Sequence, residues 1–300
     1  MRVMLVLFLL AASTLAGEPV EFRRQYVDAR YGQVHVLISR PADAEPTQTP
    51  MACFAPNPMA GRYYLLFMAE LGRDRIMIAP DYPGLGESDP PPAMPDMAGY
   101  AGAMADTLEA LGFGGDTSSK VDVCGYHSGA FVALELAASR PDLVNRVLLV
   151  GVPYYTGAER ERRYAENVVE EPLDASFDGL EKWWEFTVTD REDGVALERG
   201  YDNFVDVLKP KYRHHWLYHA VFSYPAEARA TDVRQPVLLL NTHGSLKENT
   251  RAIAPLLPNA TLIEVPELHH GVFDVGAGLL ADQARGFLDR MPEPDARAAP

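Results

Sequence analysis

Cysteine is scarce: Cys53 and Cys124 are the only two in 300 residues, so no disulfide framework can define this fold. Both fall at the ends of predicted strands, where two small buried hydrophobes are the expectation and a single bridge is the alternative. Positive charge is short as well. Lys and Arg number 27 against 42 Asp and Glu, a formal net charge of -15, and a nucleic acid would meet general repulsion. The basic clusters RERR at 160–163 and KPKYR at 209–213 are too short to offset it, so no nucleic-acid partner is expected. Glycine frameworks for phosphates are missing too: GLGES does not open a dinucleotide-binding turn, and GDTSSK is not a P-loop. No cofactor is expected. There is no HExxH, no internal repeat and no coiled coil.

Long apolar runs are confined to the start. MRVMLVLFLLAASTLAG places one arginine before an apolar run from Val3 to Ala12 and ends in small residues. That is the pattern of a signal peptide over 1–17, too short for a lasting membrane helix. The expectation is a secreted or periplasmic protein without stable membrane insertion after cleavage.

The remainder is 47% apolar and 10% aromatic over the whole chain, enough to bury a sizeable core. EFRRQYVDAR and YGQVHVLISRP read as outer strands, with Val34, Val36 and Ile38 on one face and Gln33 and His35 on the other. Strands at 51–54, 74–80, 121–124 and 146–151 then alternate with helical patterns at 62–71, around Met104, Leu108 and Leu111, and at 129–141. This rhythm predicts a largely parallel sheet with helices on both faces. From 152 to 232 it breaks into charged and aromatic segments such as EKWWEF and HHWLYHAVFSY. PVLLLN at 236–241 restores it, followed by helix, strand and a final helix.

Several segments in this order resemble the α/β-hydrolase family with a helical cap: IAPDYPGLGESD at 78–89, VCGYHSGAFVALELAASRP from 123, PVLLL from 236 and VPELHHG from 265. The resemblance implies an eight-stranded, mostly parallel α/β-hydrolase fold. Its first part would span 18–151 and its second part 233–292, with an inserted cap at 152–232 and a flexible tail at 293–300. Trp183, Trp184, Trp216 and Tyr218 of the cap would line an apolar pocket. Asp81, Pro83, Gly84 and Gly86 would shape a neighbouring loop.

The family's nucleophile turn reads G-x-S-x-G because a sharp strand-to-helix bend exposes the middle side chain and crowds its neighbours. Gly125, His127 and Gly129 keep that spacing with a histidine in the middle. Centring the turn on Ser128 would put Tyr126 and Ala130 at the crowded places, so the serine frame is the alternative. An imidazole at 127 can attack an electrophile or take a proton, and the start of a helix at Gly129 favours its neutral form. By resemblance, His270 is the catalytic histidine. Its orienting acid is absent from the expected turn, which reaches Ser245, leaving Glu248 and Glu267 as candidates. The oxyanion segment is altered to Ala55-Pro56, and proline has no N–H to offer. Asn57 and the backbone of Ser128 are then the expected donors. His127, His243, His269 and His270 all fall near strand ends, which raises a metal centre as a lesser alternative, but no metal is the expectation.

The leading reading is hydrolysis of an ester-like bond in a small or medium apolar organic substrate, with His127 at the nucleophile position and His270 as base. Three alternatives stay open: a non-catalytic ligand-binding homologue, a serine hydrolase using Ser128, and a C–C hydrolase or lyase. A homodimer is an admissible assembly.

Overall fold

The computed structural model describes residues 19–114, 120–173 and 175–289. The expected leader at 1–17 and tail at 293–300 lie outside the described residues. Eight strands form one sheet: β1 Val20–Ala29, β2 Gly32–Pro41, β3 Met51–Phe54, β4 Met77–Pro80, β5 Val121–Tyr126, β6 Val144–Val150, β7 Val237–Thr242 and β8 Ala260–Val265. Their order is β1-β2-β4-β3-β5-β6-β7-β8. β2 runs antiparallel to both β1 and β4, and every other pairing is parallel. This is the expected eight-stranded α/β-hydrolase architecture.

Ten α-helices accompany the sheet among the described residues: α1 Leu65–Leu71, α2 Met97–Ala110, α3 Ser128–Ser139, α4 Gly157–Asn167, α5 Asp178–Trp184, α6 Leu197–Leu208, α7 His214–Ser223, α8 Ala226–Ala230, α9 Lys247–Ile253 and α10 Ala277–Leu288. The sheet is buried on both faces because successive strand residues point to opposite sides. Val147, Leu149 and Leu239 join one core with Leu134 of α3 and Leu108 of α2. Leu148, Leu238 and Leu240 join the other with Phe67 of α1 and Leu280 of α10. Val34 and Val36 belong to the first core as their alternation predicts, with Ile38 packed against it. No helix among the described residues is long and apolar enough to cross a membrane.

Two elements are shorter than the sequence suggests. The expected strand at 74–80 begins at Met77 because Arg75, fully buried, turns aside to bond Asp74 at 2.8 Å and Asp289 at 2.7 Å. The expected helix at 62–71 opens as a 3-10 turn over Gly61–Tyr64. There the Gly61 N–H donates to Asp81 Oδ1 at 2.7 Å. Asp81 also accepts from the Glu87 N–H at 2.9 Å and lies 3.0 Å from His35 Nδ1. It organises the 81–89 loop in the manner of a turn aspartate. Cys53 and Cys124 face each other in the β3–β5 register, both free and both fully buried. Burial pushes the Cys53 thiol well above its ordinary pKa.

Between β6 and β7 the chain runs through α4 to α8, with a π-helical turn at Glu185–Thr189. The inward side of α6 is charged. Arg62 meets Asp206 at 2.7 Å and Asp202 at 3.0 Å, and Arg199 meets Asp274 at 2.8 Å. These pairs fasten α6 to the 3-10 turn at Gly61–Tyr64 and to Asp274 after β8, and Asn203 of the same helix lines the cavity.

Candidate functional site

β5 leads into the sharpest bend of the chain. His127 has φ 53° and ψ −121°, and α3 begins at the following residue. A positive φ at a non-glycine residue is strained and is held only where its surroundings enforce it. Here they do: the His127 N–H donates to Val150 O at 3.2 Å, and the Ala130 N–H to His127 O at 2.9 Å. A Cβ on Gly125 would lie 2.1 Å from Gly129 O, and one on Gly129 would lie 1.9 Å from Phe54 O. The glycine spacing is thus a packing requirement, and it puts His127 at the apex. Ser128 has no exposed surface. The shifted frame that would present its hydroxyl does not match this geometry.

The apex opens into a cavity of about 400 Å³ whose lining includes Asn57, Tyr126, His127, Tyr218, Ser245 and His270. His270 sits on the loop after β8 and is exposed. The loop after β7 lies against it so closely that a Cβ on Gly244 would be 2.4 Å from His269 O. This contact seats Ser245 beside His270 in the same wall.

Asn57 lines the cavity as expected; its backbone N–H is directed at Ser128 Oγ at 3.4 Å and one hydrogen of its Nδ2 goes to His214 O at 2.9 Å, which leaves one amide N–H of the two. Other expected site residues fall elsewhere. Glu248 is 73% exposed and bonds Arg251 at 2.7 Å, and Glu267 is exposed; neither lines the cavity. No carboxylate among the described residues hydrogen-bonds the His270 imidazole. Of the four aromatic residues expected to line the pocket, Tyr218 does. Trp183 stacks on His214, Trp184 packs against Tyr201 and Phe204, and Trp216 carries the Arg213 guanidinium. Neighbouring side chains of the insertion hold the three indoles, and none of them is in the cavity lining. The four strand-end histidines do not converge either. His243 lies 3.3 Å from Glu264, and His269 Nδ1 is 3.2 Å from His243 O.

Sequence reasoning missed Asp190, Arg191, Glu192, Asn203 and Asp274, all of which line the cavity. Asp274 had a signal: it follows His270 by four residues, and its N–H donates back to Gly271 O at 2.8 Å. The turn this closes brings the carboxylate into the wall. The other four come from the charged insertion, where no pattern marks which residues turn inward.

Burial lowers the His127 pKa to about 4, so the ring is neutral at physiological pH. Burial also raises Tyr126 to about 12 and Tyr63 well above its usual value, so both phenols stay protonated. The tautomer of His127 follows from its neighbour. Ser128 Oγ receives the Asn57 N–H and lies 3.4 Å from His127 Nδ1. With no solvent contact, the hydroxyl proton is satisfied by donating to Nδ1, which leaves the imidazole proton on Nε2. The opposite tautomer would give the hydroxyl oxygen two donors and strand its own proton, at a cost of about 1–3 kcal/mol. A neutral imidazole with Nε2–H is a hydrogen-bond donor to whatever occupies the cavity.

The depressed pKa has a consequence for stability. The unfolded chain takes up a proton near pH 6.5, whereas folded His127 does so only near pH 4, so stability is lost as pH falls through that interval. Part of the ring faces the cavity, which reduces the effect to roughly 2 kcal/mol. Urea titrations at pH 7 and pH 4 should show a larger loss for the wild type than for His127→Gln. Equal losses would mean that the ring is not desolvated.

Comparison with known proteins agrees with this geometry. Residues 51–283 match the alpha/beta hydrolase family. An uncharacterized protein of Mycobacterium tuberculosis strain H37Rv and one of Mycobacterium bovis are each 38% identical over 82 residues. That stretch is 27% of this chain and 23% of theirs, so the chain aligns with about a quarter of these relatives' length. Among solved structures, an enol-lactonase from Burkholderia xenovorans LB400 superposes with a TM-score of 0.72 at 14% identity, covering 89% of this chain and 100% of that one. Naproxen esterase from Bacillus subtilis gives 0.69 at 18% identity, covering 90% and 92%. Epoxide hydrolase VrEH1 from Vigna radiata gives 0.72 at 14%, covering 90% and 99%. At these identities the structures share the fold. With the family matched across most of its length and the eight-stranded sheet bearing a glycine-flanked bend at residue 127, this chain belongs to the alpha/beta hydrolase family.

Proposed function

We propose that the protein hydrolyses an ester-like bond in a small or medium, largely apolar substrate, and does so without a covalent intermediate. The reading rests on one observation: His127 at the apex and His270 on the facing loop line the same cavity. The substrate carbonyl oxygen sits against His127 Nε2–H. The Ser128 backbone N–H, first in α3 and without an intrahelical acceptor, supplies a second donor. His270 takes a proton from a water molecule, whose oxygen attacks the carbonyl carbon, and the two donors hold the oxyanion that forms. When the intermediate collapses, the alkoxide leaves with the proton that His270 carried. A histidine where the family carries serine thus makes residue 127 an electrophile instead of the attacking group, and supplies the donor that Pro56 does not.

In this reading the segment 152–232 acts as a cap, since Phe186, Asn203 and Tyr218 form part of the cavity wall. The leader pattern at 1–17 supports action after export, on a small organic molecule. One observation favours a second reading, ligand binding without turnover: no carboxylate hydrogen-bonds His270 among the described residues. Activated esters of short acids separate the two. The hydrolytic reading expects turnover with no acyl adduct on the intact protein by mass spectrometry. Binding of a neutral ester analogue with no release of alcohol from any ester would favour the binding protein, and an adduct mapped to His127 or Ser128 would replace our mechanism with a covalent one.

A further inference from the structure

The cavity is rich in acceptors and poor in available cations. Asp190 and Glu192 line it and make no ion pair among the described residues. Asp274 lines it too but is neutralised by Arg199 at 2.8 Å. Among the described residues Arg191 is the one Lys or Arg in the wall; its Nε donates to Val195 O at 3.0 Å and its Nη1 to Val188 O at 2.7 Å, so its charge remains and offsets one of the two unpaired carboxylates. His127 is neutral, as argued above. The rings of Tyr63, Tyr126, Phe186 and Tyr218 line the cavity as well. Aromatic faces beside carboxylates attract a soft cation, and the charge of the whole protein, -15, acts in the same direction.

We propose that the substrates of this cavity carry a positive charge: esters whose alcohol or acyl part bears an ammonium group are preferred over neutral isosteres, and carboxylate-bearing esters are rejected. This inference takes the cavity to be the substrate site proposed above and adds the charge class of its occupant. Glu192 lies beside the reacting corner. A Cβ on Gly271, next to His270, would lie 3.1 Å from Glu192 Cβ. Glu192 also contributes, after burial, to the raised pKa of Tyr126. Asp190 lines the cavity and is exposed.

The test compares a choline ester with the 3,3-dimethylbutyl ester of the same acid, which replaces the quaternary nitrogen by carbon at almost unchanged size, and with a carboxylate-bearing ester of similar length. Affinities of the matching non-hydrolysable ethers are measured by calorimetry, so that the result does not depend on turnover. One unscreened carboxylate within roughly 7 Å of the bound cation corresponds to a preference on the order of tenfold or more. We expect the cationic ether to bind about tenfold more tightly than its neutral isostere, with the ratio falling toward one in Asp190→Asn/Glu192→Gln and in 0.5 M salt. Equal binding of the two ethers, tighter binding of the carboxylate, or a ratio that neither salt nor the double variant changes would overturn the proposal. If the ether preference holds but no ester turns over, the hydrolytic reading fails and the charge assignment stands.

Discussion

Gly129→Ala should leave little or no folded protein. The added methyl carbon would lie 1.9 Å from the Phe54 carbonyl oxygen and 2.9 Å from that of Ala55, and neither oxygen is free to retreat. Phe54 is registered against Gly125 in the β3–β5 ladder, and its carbonyl accepts the hydroxyl of fully buried Tyr64 at 2.7 Å. Relief would require α3 to slide from the sheet along a helix buried over Ser128–Ala137, which opens the central core. The cost falls in the rare class above about 4 kcal/mol, against a total stability of roughly 5–15 kcal/mol for a domain. Gly278→Ala in α10 is the control, since a Cβ there meets nothing within 4 Å and the helix gains up to about 1 kcal/mol from the better helix former. Soluble yield and urea midpoints of the two variants should therefore move in opposite directions. A Gly129→Ala protein as stable as the wild type would mean that the bend at residue 127 is not built as described.

The same bend shows why this part of the molecule is legible in the sequence. Its geometry is forced by local sterics, and Gly125, His127 and Gly129 carry the constraint within five residues. The parallel sheet is legible for a related reason: strands such as β3 and β7, buried on both faces, leave short continuous apolar runs between turn signals. What the sequence hides are side chains whose direction is set by distant partners. The tryptophans of the insertion are a case: aromatic content marked Trp183 and Trp184 as pocket residues, but His214, Tyr201 and Phe204 claim them. Asn57 is another, because its backbone N–H and one amide hydrogen are directed at Ser128 and His214, the second of them 157 positions away. Conversely, α6 turns Arg199 and Asp206 inward while Leu197, Tyr201 and Val205 are nearly half exposed. An amphipathic reading would place that helix the wrong way round, and with it the cavity residues Asn203 and, through Arg199, Asp274.

His270→Ala should lower ester turnover by roughly 100- to 10,000-fold, the range lost when a positioned general base is removed. His127→Ala should lower it by about 100- to 1,000-fold, the cost of one oxyanion donor. Both residues act on one transition state, one by making the nucleophile and the other by holding the charge that the nucleophile creates. The double variant should therefore fall short of the product of the two losses. The decisive comparison is His127→Gln, whose amide keeps an N–H donor but has no basic nitrogen with which to attack. If residue 127 works as a donor, His127→Gln should turn over about tenfold or more faster than His127→Ala, with the effect in kcat rather than in KM. If the imidazole were the nucleophile, glutamine would be as inactive as alanine and the wild type would carry an acyl group at 127 during turnover. Neutral imidazole makes the donor role consistent across the physiological range, because the ring acquires its second proton only as the pH falls toward about 4. Wild-type kcat should accordingly show no ionisation assignable to His127 between pH 6 and pH 8, a window in which a His127 titration seen by nuclear magnetic resonance would sink the mechanism.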